Sequence, residues 1–103
     1  MEVIVSPLAK RKLTILLDYL EFKWSAKTKS NYLEKIYEKF ELVSTFPRSC
    51  TKSKEFPSLY KCVVTKQSTF FYRIANQKVE IIDLVDTRQN PNLIREKLSD
   101  FFD

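Results

Sequence analysis

The sequence contains no histidine and no glycine, and each absence removes a class of mechanism. Without histidine, no side chain has an ordinary pKa near neutrality, so proton transfer would have to recruit lysine, arginine, tyrosine or a carboxylate. Without glycine, the phosphate-cradling loops that need a close backbone approach cannot form. Cysteine is scarce: Cys50 and Cys62 lack Cys-x-x-Cys spacing and have no histidine to join them. That argues against a zinc site and for two reduced thiols, with no metal and no cofactor expected. No apolar run approaches the roughly 20 residues that span a bilayer, and Met1–Val5 is too short and acidic to open a signal peptide. The expectation is a soluble, cytoplasmic protein that engages no membrane.

What is present is a chain of 103 residues, 44% hydrophobic and 14% aromatic, enough for one modest core. No repeat, low-complexity tract or linker divides it, so residues 1–103 are expected to form a single domain. The net charge is +5, and its placement says more than its size. Between Ser44 and Arg73 six bases (Arg48, Lys52, Lys54, Lys61, Lys66, Arg73) face one acid, Glu55, which is the entire excess; the remainder balances. A basic stretch of this kind fits a polyanion or an acidic protein partner, although a solvated loop with ordinary surface lysines has the same composition.

The organising stretch is Leu59–Gln89, which reads as three strands. Leu59–Thr65 and Thr69–Ile74 alternate, with Tyr60, Cys62, Val64, Phe70, Tyr72 and Ile74 on one face and Lys61, Val63, Phe71 and Arg73 on the other. Val79–Val85 is apolar on both faces apart from Glu80 and Asp83, as a central strand requires. Short connections at Gln67-Ser68 and Ala75-Asn76-Gln77 make the three an antiparallel meander, with Asn76 suited to a positive φ. Upstream, Glu2–Val5 is a short β-like run whose place in the sheet the sequence leaves open. Ser6-Pro7 pairs a hydroxyl N-cap with a first-turn proline, and Leu13, Leu16, Leu17, Leu20 and Trp24 follow at helical spacing. After a break at Ser25–Thr28, a second helix runs to about Thr45 on Tyr32, Ile36, Phe40 and Val43, widened by Leu33, Tyr37 and Phe46; Phe46-Pro47 ends it. The two helices form a hairpin whose stripes cover the meander, Trp24 included. Arg48–Pro57 is expected to be a loop. Asn90-Pro91 opens a short terminal helix lined by Leu93, Ile94, Leu98 and Phe101 or Phe102. The fold class is α+β, in the order β-α-α-β-β-β with a trailing helix.

On these residues the chain resembles the RelE/ParE superfamily of toxins from bacterial type II toxin–antitoxin operons. DYLEFKWSAKT followed by a second helix and TFP is similar to the ParE helical hairpin. FPSLYKCVV resembles the approach to the first meander strand, and FFYRI with VEIIDLVDTRQNP resembles the closing hairpin and its polar ending. The resemblance implies an antiparallel sheet covered by a helical hairpin, a cognate antitoxin as partner, and a role in growth inhibition of the plasmid-stabilisation kind.

Two mechanisms follow from the resemblance. RelE-like members are ribosome-dependent mRNA endoribonucleases, which need a base for the 2′-OH, cations for the phosphorane and an acid for the leaving oxygen. Carried over by position, Lys61, Arg73 and Arg88 would be the catalytic cations. The second strand lysine of that family is matched by Val63, its C-terminal tyrosine falls near Ile94, and a His-Tyr ending is missing. ParE-like members bind DNA gyrase and perform no chemistry. The missing proton-transfer groups favour the ParE-like reading, with the ribonuclease as alternative and an inactive nucleic-acid- or protein-binding relic as a third. In either case Lys52, Lys54, Lys61, Phe71, Arg73, Arg88 and Gln89 are the expected partner- or RNA-binding residues. Each cation also has an ordinary reading: Arg73 as a strand arginine paired with Glu80 or Asp83, Arg88 as the partner of Asp86, and Lys61 as an exposed strand lysine. Tyr72 reads as core.

Overall fold

The structure, a computed structural model, describes residues 1–88. Gln89 and the expected terminal helix lie outside the described residues. The order of elements is β1 (Glu2–Val5), α1 (Pro7–Lys23), α2 (Ala26–Thr45), β2 (Thr51–Lys52), β3 (Tyr60–Val63), β4 (Ser68–Ala75) and β5 (Lys78–Asp86).

Helix α1 begins as its sequence dictates. The Ser6 hydroxyl accepts from the Ala9 N–H at 3.1 Å, and Pro7 occupies the first turn. The same hydroxyl donates to the Ile82 carbonyl at 2.8 Å, so one side chain caps the helix and ties it to the sheet. Ser25 repeats the device for α2 by accepting from the Thr28 N–H. This helix starts at Ala26, inside the stretch read as a break, because a capping serine marks a boundary that apolar periodicity alone misses. Its end at Thr45, before Phe46-Pro47, is the expected one.

All strands join one sheet, in the order β1-β5-β4-β3-β2. The meander β3-β4-β5 is antiparallel, as expected. One feature settles what the sequence left open, and a second corrects its reading of a loop. Strand β1 pairs parallel with β5, Glu2 opposite Lys78 and Val5 opposite Ile81, so the sheet is mixed and β5 is an interior strand between β1 and β4. The polar segment after Pro47 is not wholly loop, since Thr51 and Lys52 pair with Lys61 and Tyr60 as the edge strand β2. Two residues are too few for a periodicity signal. The first turn is also shifted: Ser68 is fully buried inside β4, and its N–H donates to the Thr65 carbonyl across the bend. The second turn is formed by Asn76 and Gln77, both at positive φ (53° and 60°), which matches the twist of the flanking strands.

The helical hairpin covers one face of the sheet. Leu16 and Leu20 from α1, with Tyr32, Ile36 and Val43 from α2, are buried with Cys62, Val64, Phe70, Tyr72, Val79 and Ile81. Each such apolar side chain contributes roughly 1.5–3 kcal/mol relative to exposure. Phe40 adds an edge-on contact to Phe70, ring centres 5.1 Å apart. Tyr72 is core, as expected, and its hydroxyl donates to the Pro47 carbonyl at 2.8 Å. Trp24 is not part of this core. It caps the C-terminus of α1 and is 63% exposed, so its helical spacing from Leu20 carries it past the end of the packed stripe. Tyr37 and Phe46 are likewise exposed and do not widen the buried face of α2.

A register shift lies between Phe71 and Tyr72 of β4, where Phe71 faces Asp83 and Tyr72 faces Ile81, leaving Ile82 as the extra residue of a bulge in β5. Ile82 joins Phe71 and Leu59 in a second, smaller cluster flanked by Phe56 and Val85. Asp83, fully buried, receives Lys12 of α1 at 2.7 Å and the Leu84 N–H at 2.7 Å.

Candidate functional site

The expected site was one basic, aromatic face. The geometry divides it. Lys61 and Arg73 do share the face of the sheet away from the hairpin, since Lys61 pairs with Phe71 and Arg73 lies two residues further along β4. Both are exposed. Phe71, expected to be exposed between them, is only 8% accessible. The segment after β2 folds over it, with the Phe56 ring edge-on at 6.1 Å and Leu59 buried beside it. A strand residue on the face away from the helices was thus covered by a loop, which alternation along the strand cannot foresee.

Lys52 points the other way. It lies opposite Tyr60, on the hairpin side at the sheet edge, with its ammonium 5.6 Å from the Tyr60 ring centre. The Tyr60 ring in turn stacks on Tyr72 at 5.1 Å. Lys54 is exposed on the loop beyond Ser53. Among the described residues, no carboxylate forms an ion pair with Lys52, Lys54 or Lys61.

The two arginines are engaged within the chain. Arg73 reaches Glu80, directly opposite on β5, at 3.2 Å. Arg88 grips Asp86 as a fork, Nε to Oδ1 at 2.9 Å and Nη2 to Oδ2 at 2.6 Å, while its own N–H also donates to Oδ1. The Asp86 hydrogen bonds hold the Arg88 pKa above its ordinary value, and the phenols of Tyr32 and Tyr19 lie within its field. Asp86 is 2% exposed, so this pair is built into the end of the sheet beneath the hairpin. Beside it the Tyr32 hydroxyl and Ser68 Oγ share a buried hydrogen bond, and burial pushes the Tyr32 pKa up to about 12. Along β5, Asp86 is six residues beyond Glu80, roughly 20 Å of extended strand at about 3.3 Å per residue. Arg88 is therefore not gathered with Arg73. Gln89 lies outside the described residues. No group of three or more acidic or cysteine side chains that could hold a metal ion occurs among the described residues.

The sequence that builds this hairpin of helices over a mixed sheet matches a known family. The model of the ParE toxin of type II toxin–antitoxin systems, parDE, matches residues 3–91. The chain belongs to the ParE toxin family. It is thus a type II toxin of the ParE family, in which an antitoxin partner is implied. Solved structures agree on the fold. The chromosomal ParDE toxin–antitoxin system from P. aeruginosa superposes with a TM-score of 0.71 at 11% identity, over 84% of this chain and 95% of that one. The YoeB/ParE toxin from Agrobacterium tumefaciens gives 0.61 at 14% identity, over 84% of this chain and 98% of that one. No curated protein matches the chain in sequence. Among the described residues of this ParE-family toxin, no helix is long and apolar enough to cross a membrane.

Sequence reasoning missed the Lys12–Asp83 pair, the Tyr32–Ser68 bond and the proximity of the two thiols. One signal was available for the first: an aspartate inside the apolar run of β5 has to find a cation or stay exposed.

Proposed function

We propose that this ParE-family toxin acts by binding DNA gyrase and trapping it on DNA, with no bond-making step of its own. The observation that supports this reading is the state of its cations. A ribonuclease of the RelE kind would draw on Lys61, Arg73 and Arg88 together, yet Arg73 is paired with Glu80, Arg88 is locked to Asp86, and those two carboxylates are six residues apart on β5. With no histidine in the sequence, general acid–base steps typically worth about 10²–10⁴-fold each lack their usual carrier. Lys52, Lys54 and Lys61, together with Arg73, Arg88 and Gln89, are the proposed contacts to the target or to the antitoxin. Phe71 is buried on the face that Lys61 and Arg73 share and is not itself proposed as a contact.

The antitoxin partner is proposed to present an acidic segment to this basic stretch, so its association should slow as salt rises. The test of the main reading is direct. Purified toxin added to a gyrase supercoiling reaction should block supercoiling and accumulate cleaved DNA, while translated mRNA stays whole. Cleavage of mRNA at discrete codons, lost in Lys52→Ala, Lys54→Ala or Lys61→Ala, would overturn the reading in favour of the ribosome.

A further inference from the structure

Cys50 and Cys62 are far enough apart in sequence to look unrelated, and the fold brings them together. The β2–β3 register sets Thr51 opposite Lys61 and Lys52 opposite Tyr60, and one more step places Cys50 opposite Cys62. Residues facing one another in an antiparallel pair have Cα atoms about 4.5–5.5 Å apart, inside the range of about 4.4–6.8 Å that a disulfide spans. Both side chains turn toward the core beneath the hairpin, Cys62 buried within it and Cys50 packed against the same cluster. Both are free, with Cys62 at 3% exposure and Cys50 half-buried.

We propose that Cys50 and Cys62 form a redox dithiol that closes to an intramolecular disulfide when a small-molecule disulfide such as oxidised glutathione is the oxidant. Cys50, the more accessible thiol, is the point of attack. Its thiolate forms a bond to one glutathione sulfur and expels the other as a thiolate. Cys62 then gives its proton to solvent and attacks Cys50 Sγ, forming the internal bond as the second glutathione thiolate leaves. Two protein thiols are oxidised, one glutathione disulfide is reduced, and the released protons end on the two glutathione thiols. Burial pushes the Cys62 pKa up to about 12, so closure quickens as pH rises.

The ring so formed runs from Cys50 to Cys62 and encloses Lys52, Lys54 and Lys61. In the reduced protein the edge strand that begins this segment is short, with Thr51 and Lys52 paired to β3 and the Ser53 N–H donating to the Leu59 carbonyl at 2.8 Å. Oxidation would staple it, making the basic stretch the part of the toxin whose freedom depends on thiol state. This inference stands independently of the target, because it concerns the fold alone.

The experiment equilibrates the full-length purified protein with a series of oxidised-to-reduced glutathione ratios, in buffer and in urea. Acid quenching, thiol alkylation and non-reducing peptide mapping follow. The expected result is one species lighter by two hydrogens, with Cys50- and Cys62-containing peptides linked. Its equilibrium constant should be at least about tenfold larger in buffer than in urea, because a ring the fold pre-forms is favoured by folding. Cys62→Ser should stop at a glutathione adduct on Cys50, and Cys50→Ser should leave Cys62 unmodified until urea is added. The proposal fails if the wild type stops at the Cys50 adduct, if it forms intermolecular dimers instead, or if the ring closes no more readily in buffer than in urea. Circular dichroism of each serine variant establishes that it is folded, and the wild-type comparison stands without either variant.

Discussion

The buried pair between Lys12 and Asp83 makes a quantitative prediction. Asp83 is fully buried at the β5 bulge, and the Lys12 side chain is 12% exposed. The ammonium contacts both carboxylate oxygens, at 2.7 and 3.0 Å. Replacing Lys12 by Met keeps the aliphatic stem and removes the charge. Asp83 would then retain one described partner, the Leu84 N–H at 2.7 Å. Stranding a buried charge costs about 3–5 kcal/mol. Total stabilities of about 5–15 kcal/mol leave such a variant marginal. Urea unfolding followed by circular dichroism should show the loss as a lower midpoint at unchanged slope. Adding Asp83→Asn should recover about 1–3 kcal/mol of it, because the neutral amide still accepts from Leu84 and no longer needs a cation. A loss below about 1 kcal/mol in Lys12→Met, or no recovery in the double variant, would refute the claim that this pair is shielded from water.

Other expectations follow from burial, backbone geometry and titration. Leu20→Ala should cost about 2–5 kcal/mol whereas Trp24→Ala should cost less than about 1 kcal/mol in the same urea assay, since Leu20 is 0% and Trp24 63% exposed. Gln77→Gly should raise the unfolding free energy by about 0.5–1 kcal/mol, read as a higher urea midpoint, because a residue with a Cβ is held at φ 60° in the β4–β5 turn; an unchanged or lower midpoint would show that the turn carries no strain there. The Tyr32 pKa is raised from 10 to about 12, so the folded state keeps a proton that the unfolded chain releases. Its contribution is complete below about pH 10, and about 2–3 kcal/mol disappears as pH climbs to about 12. Tyr72 and Cys62 are shifted in the same direction, so the check is the difference in pH profile between wild type and Tyr32→Phe. Parallel profiles across that window would mean that the Tyr32 phenol is not buried.

Local periodicity and capping determined much by themselves. Ser6-Pro7 set the start of α1, Phe46-Pro47 set the end of α2, and strict alternation put Cys62, Phe70 and Tyr72 on the covered face, because side-chain direction along one element depends only on that element's period. The ordinary partners of Arg73 and Arg88 were also within reach, being a facing strand residue and a neighbour two positions away. Tertiary structure decided the rest, wherever the answer depended on which segments meet. The parallel place of β1 beside β5, the two-residue β2, the loop that buries Phe71 and the end of packing before Trp24 are all long-range outcomes. The same is true of the Lys12–Asp83 pair and of the two facing thiols. A chain records what each residue prefers. Only closure of the sheet determined which preferences were met by a partner and which were left in water.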